Sequence, residues 1–253
     1  MAVNEQSGEI VQVTQGGFSG ALSIAQKSMK LYFMREAKEK SMQIVEVNLA
    51  QVFEDSKRGK MKSVSAYERI CGQTPSEMGA SGDMALDADE QRVYFRVGKE
   101  EAAKHIAPDA KIEKNFGPRN MGAGPGGIMS MNLDKGTFKY VVSVPFQIGH
   151  IQSNTWNPGE IVFCWETGGK SPQRTWTVFA DGTGLRPLYP EADYEWVTHE
   201  AVISKDEVAM AIMGHRKIPG TNANVAAGTD VGGGNPGQDA AWGPSGTQRS
   251  SRR

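Results

Sequence analysis

The chain has 253 residues, 38% of them hydrophobic, and 28 basic against 29 acidic side chains give it a net charge of -1. That is enough chain to bury a sizeable core, and the balanced charge removes any global electrostatic case for nucleic acid or an anionic membrane surface as partner. The two cysteines, Cys71 and Cys164, are far apart and lack metal-ligand spacing, so both read as buried thiols rather than a disulfide or a structural zinc site.

Residues 1–15 are polar, without the charged-then-apolar order of a secretory leader, and no segment approaches the roughly 20 apolar residues that span a bilayer. The expectation is a cytoplasmic, soluble chain with no membrane partner. Four copies of one pattern follow, each a polar turn feeding an alternating apolar strand, over 26–33, 87–95, 156–163 and 204–210. After the first three copies comes a second strand ending in a turn, over 43–48, 128–136 and 175–182. Further strands are predicted over 137–144 and 185–189. Between the repeats, 50–84 and 99–126 read as excursions over one face, with a short helix over 99–104. The glycine run 122–127 lacks the Lys-Ser/Thr of a phosphate loop and reads as a flexible loop, and the basic run 57–62 as a solvated one.

Repeats of three to four strands are the signature of propeller blades, whereas a sandwich predicts shorter and less regular spacing. The fold class expected is therefore all-β, a β-propeller with three nearly whole blades and the start of a fourth. Propellers close with four to eight blades, so an incomplete ring over 1–218 is expected to leave strand edges and blade faces open to association. The glycine-rich stretch 219–253, with almost nothing apolar to bury, is expected to be disordered.

Two histidines open strands in consecutive repeats, His150 in Gly149-His150-Ile151-Gln152 and His199 in Thr198-His199-Glu200. Side chains at equivalent places in neighbouring repeats can converge on one site. From the residues alone, His150 also reads as a hydrogen-bonded histidine at a strand start, Gln152 as a strand-edge partner, and Arg174 as a stacking partner of Trp176. His105 and His215 read as packing residues, with His215 and Arg216 kept as possible rim contacts.

Together, Gly149-His150-Ile151-Gln152, the strand Ile161-Val162-Phe163-Cys164 followed by Glu166, Gln173-Arg174-Thr175-Trp176, and His199-Glu200 resemble the oligogalacturonate lyases. The turn Asp181-Gly182-Thr183-Gly184-Leu185 looks like the blade turn of TolB-type propellers. The stronger resemblance covers 147–216. It implies a seven-bladed propeller that cleaves pectin-derived oligogalacturonides by β-elimination, with a divalent metal, typically manganese, near the blade axis. By that resemblance His150 is the proton-abstracting base and His199 a metal ligand, although Thr198 stands where the family has glycine. The family's remaining ligands, a glutamine and two histidines, match nothing after Arg216, which leaves the activity of this chain open.

The chemistry explains why such residues are wanted. A uronate's carboxylate poorly stabilises a carbanion beside it, so a cation must spread the developing charge while a neutral imidazole takes the proton. Arg174, Arg216 and Arg119 are the candidates to clamp substrate carboxylates, and Gln152 to orient the substrate or the metal shell. The alternative is a non-catalytic propeller segment that presents a binding surface.

Overall fold

The computed structural model describes residues 1–117, 119–192, 195–214 and 246–251. A short hairpin, β1 (Ala2–Val3) with β2 (Ile10–Val11), precedes four antiparallel sheets met one after another along the chain. The first holds β3 (Ser19–Ala25), β4 (Lys30–Glu36), β5 (Met42–Asn48) and β6 (Glu68–Gln73), with helix α1 (Leu49–Lys57) between its last two strands. The second holds β7 (Ser81–Leu86), β8 (Arg92–Val97), β9 (Ala123–Asn132) and β10 (Phe138–Phe146), with the short helix α2 (Lys99–Ala103) after β8. The third holds β11 (Ile148–Ser153), β12 (Glu160–Trp165), β13 (Thr175–Phe179) and β14 (Arg186–Pro187). The fourth holds β15 (Glu195–Val202), β16 (Glu207–Gly214) and β17 (Gly246–Ser251).

Every strand pairs with its neighbour in sequence, which is the meander of a propeller blade. The four repeated turns fall where the sequence places them, each joining a blade's first strand to its second. They are also tied to one another: the Glu90 carboxylate accepts from the backbone N–H groups of Lys27 and Ser28 at 2.8 and 3.0 Å, and Asp87 Oδ1 accepts from Gly159 at 2.8 Å. The first strands lie side by side. Gly20 and Gly82 approach so closely across β3 and β7 that a Cβ on either would overlap the other's backbone.

Alternation along the strands supplies the core between blades. Tyr32, Met34 and Ile44 meet Met84, Phe95 and Met131 between the first and second blades, and Tyr94, Ile128 and Val144 meet Ile161 and Phe163 between the second and third. Between the third and fourth, Val162 and Leu188 meet Val208 and Met210. On the other side of the first blade, Leu31, Phe33, Val45 and Val47 pack against Leu49 and Val52 of α1 and against Val13. This face, expected to be open, is covered by the chain itself.

Three expectations need correction. The stretch 50–84 is not simply an excursion, for it contains α1, β6 and the start of β7. Its strands lack a clear sequence signal because β6 exposes Ile70 and breaks apolar alternation, and β7 carries Gly82 and Asp83 in a bulge. The glycine run belongs mostly to β9, where backbones approach too closely for a side chain: a Cβ on Gly126 would lie 2.9 Å from Ile148 N. Of the strand predicted over 185–189, Arg186–Pro187 alone is formed. His105 stacks on Tyr140 with ring centroids 3.6 Å apart, the packing role expected of it. His215 lies outside the described residues, as does the glycine-rich stretch 219–253 apart from β17, which pairs with β16.

Candidate functional site

Each blade's first strand slips register once, between Ser19 and Ser23, Ser81 and Met84, Gly149 and Gln152, and Thr198 and Glu200. A bulge of this kind re-aims the side chain of the extra residue. In the third and fourth blades that residue is a histidine held in left-handed backbone, His150 at φ 49° and His199 at φ 50°. Both side chains are exposed to solvent. Two residues in equivalent strained positions, both titratable, mark this end of the first strands as the candidate site.

Around His150 the ring is held on both sides. Nδ1 lies 3.2 Å from Glu200 Oε1 and Nε2 lies 3.3 Å from Glu166 Oε2. Glu200 reaches the ring from β15, and its other oxygen meets Arg174 Nε at 3.4 Å. Glu200 and Arg174 are both buried, and Oε1 of Glu200 has no hydrogen-bond partner of good geometry, so what it faces is the imidazole. Glu166 follows β12 and hydrogen-bonds through its backbone N–H to Gln147 O at 2.9 Å, which folds its side chain back over β11. Gly149 makes room for it, since a Cβ there would sit 2.8 Å from Glu166 Cβ. The N–H of Gly168 donates to Glu166 Oε1 at 2.8 Å.

The electrostatics follow from this geometry. The Glu200 carboxylate raises the His150 imidazole above its ordinary value, against the opposing effect of partial burial and of Arg174. Burial by itself would raise Glu200, but His150 and the Arg174 charge outweigh it and hold the carboxyl below its ordinary value. Burial pushes the Cys164 thiol far up. The arrangement is a buried carboxylate, balanced by a buried cation, holding a half-exposed imidazole at one nitrogen; such a ring can accept or deliver a proton at the other.

The remaining predicted residues are dispersed. Arg174 is buried behind His150 rather than offered to solvent, and it faces Glu200. Gln152 donates to Glu200 O at 2.6 Å and accepts from Val202 N–H at 3.3 Å, so it stitches β11 to β15. Arg119 is exposed and lies across Gly168, beside the loop that anchors Glu166. Arg216 lies outside the described residues. Residue-by-residue reading left Glu166 and Glu200 without roles although both stand inside the quoted motifs. The usable signal was register: Glu166 follows a strand paired to His150's own, and Glu200 is the first residue past an equivalent bulge.

Among the described residues, one group could hold a metal ion: His150, Cys164 and Glu166, whose donor atoms all lie within 4.8 Å of one another. His199 belongs to no such group among the described residues. A cavity of about 400 Å³ lies between the first strands, lined by Leu22, Ile24, Met84, Asp87 and Gln152, without His150 in its wall.

Fold and site together define a β-propeller of consecutive blades that carries titratable side chains on the bulges of its first strands. No protein-family model and no curated protein matches the sequence. Among solved structures, the chain is similar to an oligogalacturonate lyase in complex with manganese, at 16% identity and a TM-score of 0.61 over 87% of this chain and 52% of that one. It is also similar to an oligogalacturonate lyase from Vibrio parahaemolyticus, at 16% identity and a TM-score of 0.61 over 83% of this chain and 51% of that one. The chain thus spans about half the length of each of these two structures.

Proposed function

We propose that this chain carries the proton-transfer part of an oligogalacturonate-lyase-like site, with His150 as the base that opens a β-elimination on an acidic oligosaccharide derived from pectin. The observation that carries the reading is the bulged, half-exposed His150 backed by the buried Glu200–Arg174 pair. Its support from outside the chain is likeness of fold to proteins described as oligogalacturonate lyases.

In this reading Glu200, at 3.2 Å the nearer of the two groups facing Nδ1, holds the proton there against the Arg174 Nη2 at 3.4 Å and leaves Nε2 as acceptor. Glu166 lies against Nε2, so the substrate must displace it to bring a C5 proton within reach. The proton passes to Nε2, the C4–O4 bond breaks, and the leaving oxygen takes up a proton from solvent water, whose hydroxide is neutralised by the imidazolium proton, leaving a double bond conjugated with the uronate carboxylate. Arg119, exposed beside the Glu166 loop, is the described arginine free to meet a substrate carboxylate; Arg216 remains a further candidate for that role. Arg174 is a positioning residue that keeps Glu200 ionised. Gln152 fixes the strand bearing His199 against the strand bearing His150. A manganese ion, when bound, would supply charge stabilisation at the uronate carboxylate. His199 offers one exposed imidazole toward such an ion but stands in no group of three or more His, Cys, Asp or Glu donors among the described residues, which therefore do not make up a manganese centre there.

The same shortage of ligands favours the second reading, a propeller segment that binds without catalysing. Incubating the chain with trigalacturonate and following the ultraviolet absorbance of the unsaturated uronate separates them. The lyase reading expects turnover that rises as pH climbs through the raised value of His150 and falls at least about 100-fold in His150→Asn, a residue that tolerates left-handed backbone. Full activity in that variant refutes the base. Trigalacturonate bound by the wild-type chain in calorimetry, with no turnover, supports the binding segment instead.

A further inference from the structure

We propose that His150, Cys164 and Glu166 form a binding site for a borderline-soft divalent cation of the zinc class, distinct from the manganese expectation at His199. The donor atoms already stand at metal-ligand spacing: His150 Nε2 is 3.3 Å from Glu166 Oε2, which is 3.9 Å from Cys164 Sγ. A tetrahedral zinc ion with bonds of roughly 2.0 Å to nitrogen and oxygen and 2.3 Å to sulfur separates its ligands by about 3.3 to 3.6 Å. The two contacts of Glu166 are within a few tenths of an ångström of that, and the His150 and Cys164 donors, within 4.8 Å of each other, must close by about an ångström at most.

A second observation points the same way. Glu200, fully buried, places an otherwise unpartnered oxygen 3.2 Å from His150 Nδ1, the nitrogen away from the proposed ion, closer than the Arg174 Nη2 that approaches the same nitrogen at 3.4 Å. A carboxylate in that place fixes the tautomer of a ligating histidine and strengthens the nitrogen opposite. Charge agrees as well. With His150 neutral, as a ligand must be, Glu166, Glu200 and the buried Arg174 leave one net negative charge, so a divalent ion bound to the Cys164 thiolate makes the cluster neutral. The half-exposed imidazole gives the ion its entry, and a sulfur donor favours zinc or cobalt over manganese or magnesium. An ion on Nε2 also blocks proton abstraction there, so the site would act as an inhibitory switch; that clause alone rests on the lyase reading.

The test is titration of the metal-free full chain with cobalt(II), followed by visible and near-ultraviolet absorption. One equivalent is expected to bind with a thiolate-to-cobalt charge-transfer band, and zinc is expected to bleach it. Cys164→Ser should abolish the band. Because that residue is buried and the variant could misfold, His150→Asn, at a half-exposed position, serves as the second variant and should weaken binding at least tenfold. Glu200→Gln should keep the band while weakening affinity about 10- to 100-fold, the signature of a partner behind the ligand. Cys71→Ser, at a thiol buried between the first and second blades, should change nothing. Absence of the band in the wild-type chain, or its persistence in Cys164→Ser, overturns the proposal.

Discussion

At His150 and His199 the backbone adopts a conformation that costs a non-glycine residue roughly 1–2 kcal/mol, and the fold holds it in two neighbouring blades. At His150 the surrounding side chains show what the distortion achieves: the ring stands between two carboxylates, one on β15 and one just past the end of β12. Replacing Glu200 with glutamine removes the largest influence raising His150, so its imidazole, followed by NMR titration, should titrate at lower pH than in the wild type. The same change leaves Arg174 buried beside a neutral amide. Unfolding measurements should therefore show a loss of about 3–5 kcal/mol, the usual consequence of breaking a buried pair from one side. Gly149→Ala is a steric test, since its Cβ would crowd Glu166 at 2.8 Å. A drop of about 1–3 kcal/mol is expected in chemical denaturation, and an unchanged midpoint would show that Glu166 can move aside at little cost. Both histidines stand out in the sequence as candidates because each lies in a short recognisable motif. The contacts of Glu166 and Glu200 with His150 do not, because they depend on which strand each lies beside, and nothing in the sequence around Arg174 reveals that it is buried.

Elements were legible in proportion to how cleanly their turns and alternation survive. The turns at 87–91 and 154–159 carry acidic, asparagine and glycine residues whose side chains and backbones close the hairpins, and the strands that follow them are short apolar runs, buried almost throughout. By contrast β3, β7 and β11 are bulged, which breaks the two-residue period on which strand recognition depends. Helix α1 was missed for a different reason. It is short, begins immediately after β5 with Asn48 accepting from Gln51 N–H at 3.0 Å, and draws its stability from the blade beneath it rather than from its own composition. Val52, fully buried in that contact, is its anchor. Val52→Asp places an unpaired carboxylate in an apolar interface and should detach the helix. The expected readout is increased fluorescence of a hydrophobic dye and concentration-dependent sedimentation, with neither seen in the exposed control Gln51→Ala.

Over the whole molecule, stability should depend on pH through carboxylates held ionised by their partners. Burial pushes the Glu46 carboxyl up, but hydrogen bonds from Arg69, Tyr32 and Lys30 hold it below its ordinary value; burial likewise opposes Arg35 and Thr14 at Glu68. A carboxyl depressed on folding contributes stability that is complete above its unfolded value of about 4.3 and is lost as pH falls through the folded value. The urea midpoint should accordingly fall in acid below about pH 4.5. Glu46→Gln should flatten part of that decline, and an acid limb unchanged by the variant would assign it to other groups. His150 works in the opposite sense: its raised value contributes stability present below about 6.5 that fades as pH rises through the folded value. The repeat architecture was readable from four turns, whereas the sealing of one end of the stack was not, because it depends on a helix folding back over distant strands. That seal sets up a competition. Any blade, from this chain or another, that is to stack on Leu31, Phe33, Val45 and Val47 must first evict α1, and a helix tethered a residue from its own docking surface has an effective concentration on the order of millimolar. A free competitor therefore loses unless it binds that surface tightly or something else unseats the helix, and release of α1 becomes the step that decides whether the array can take on another blade at that end.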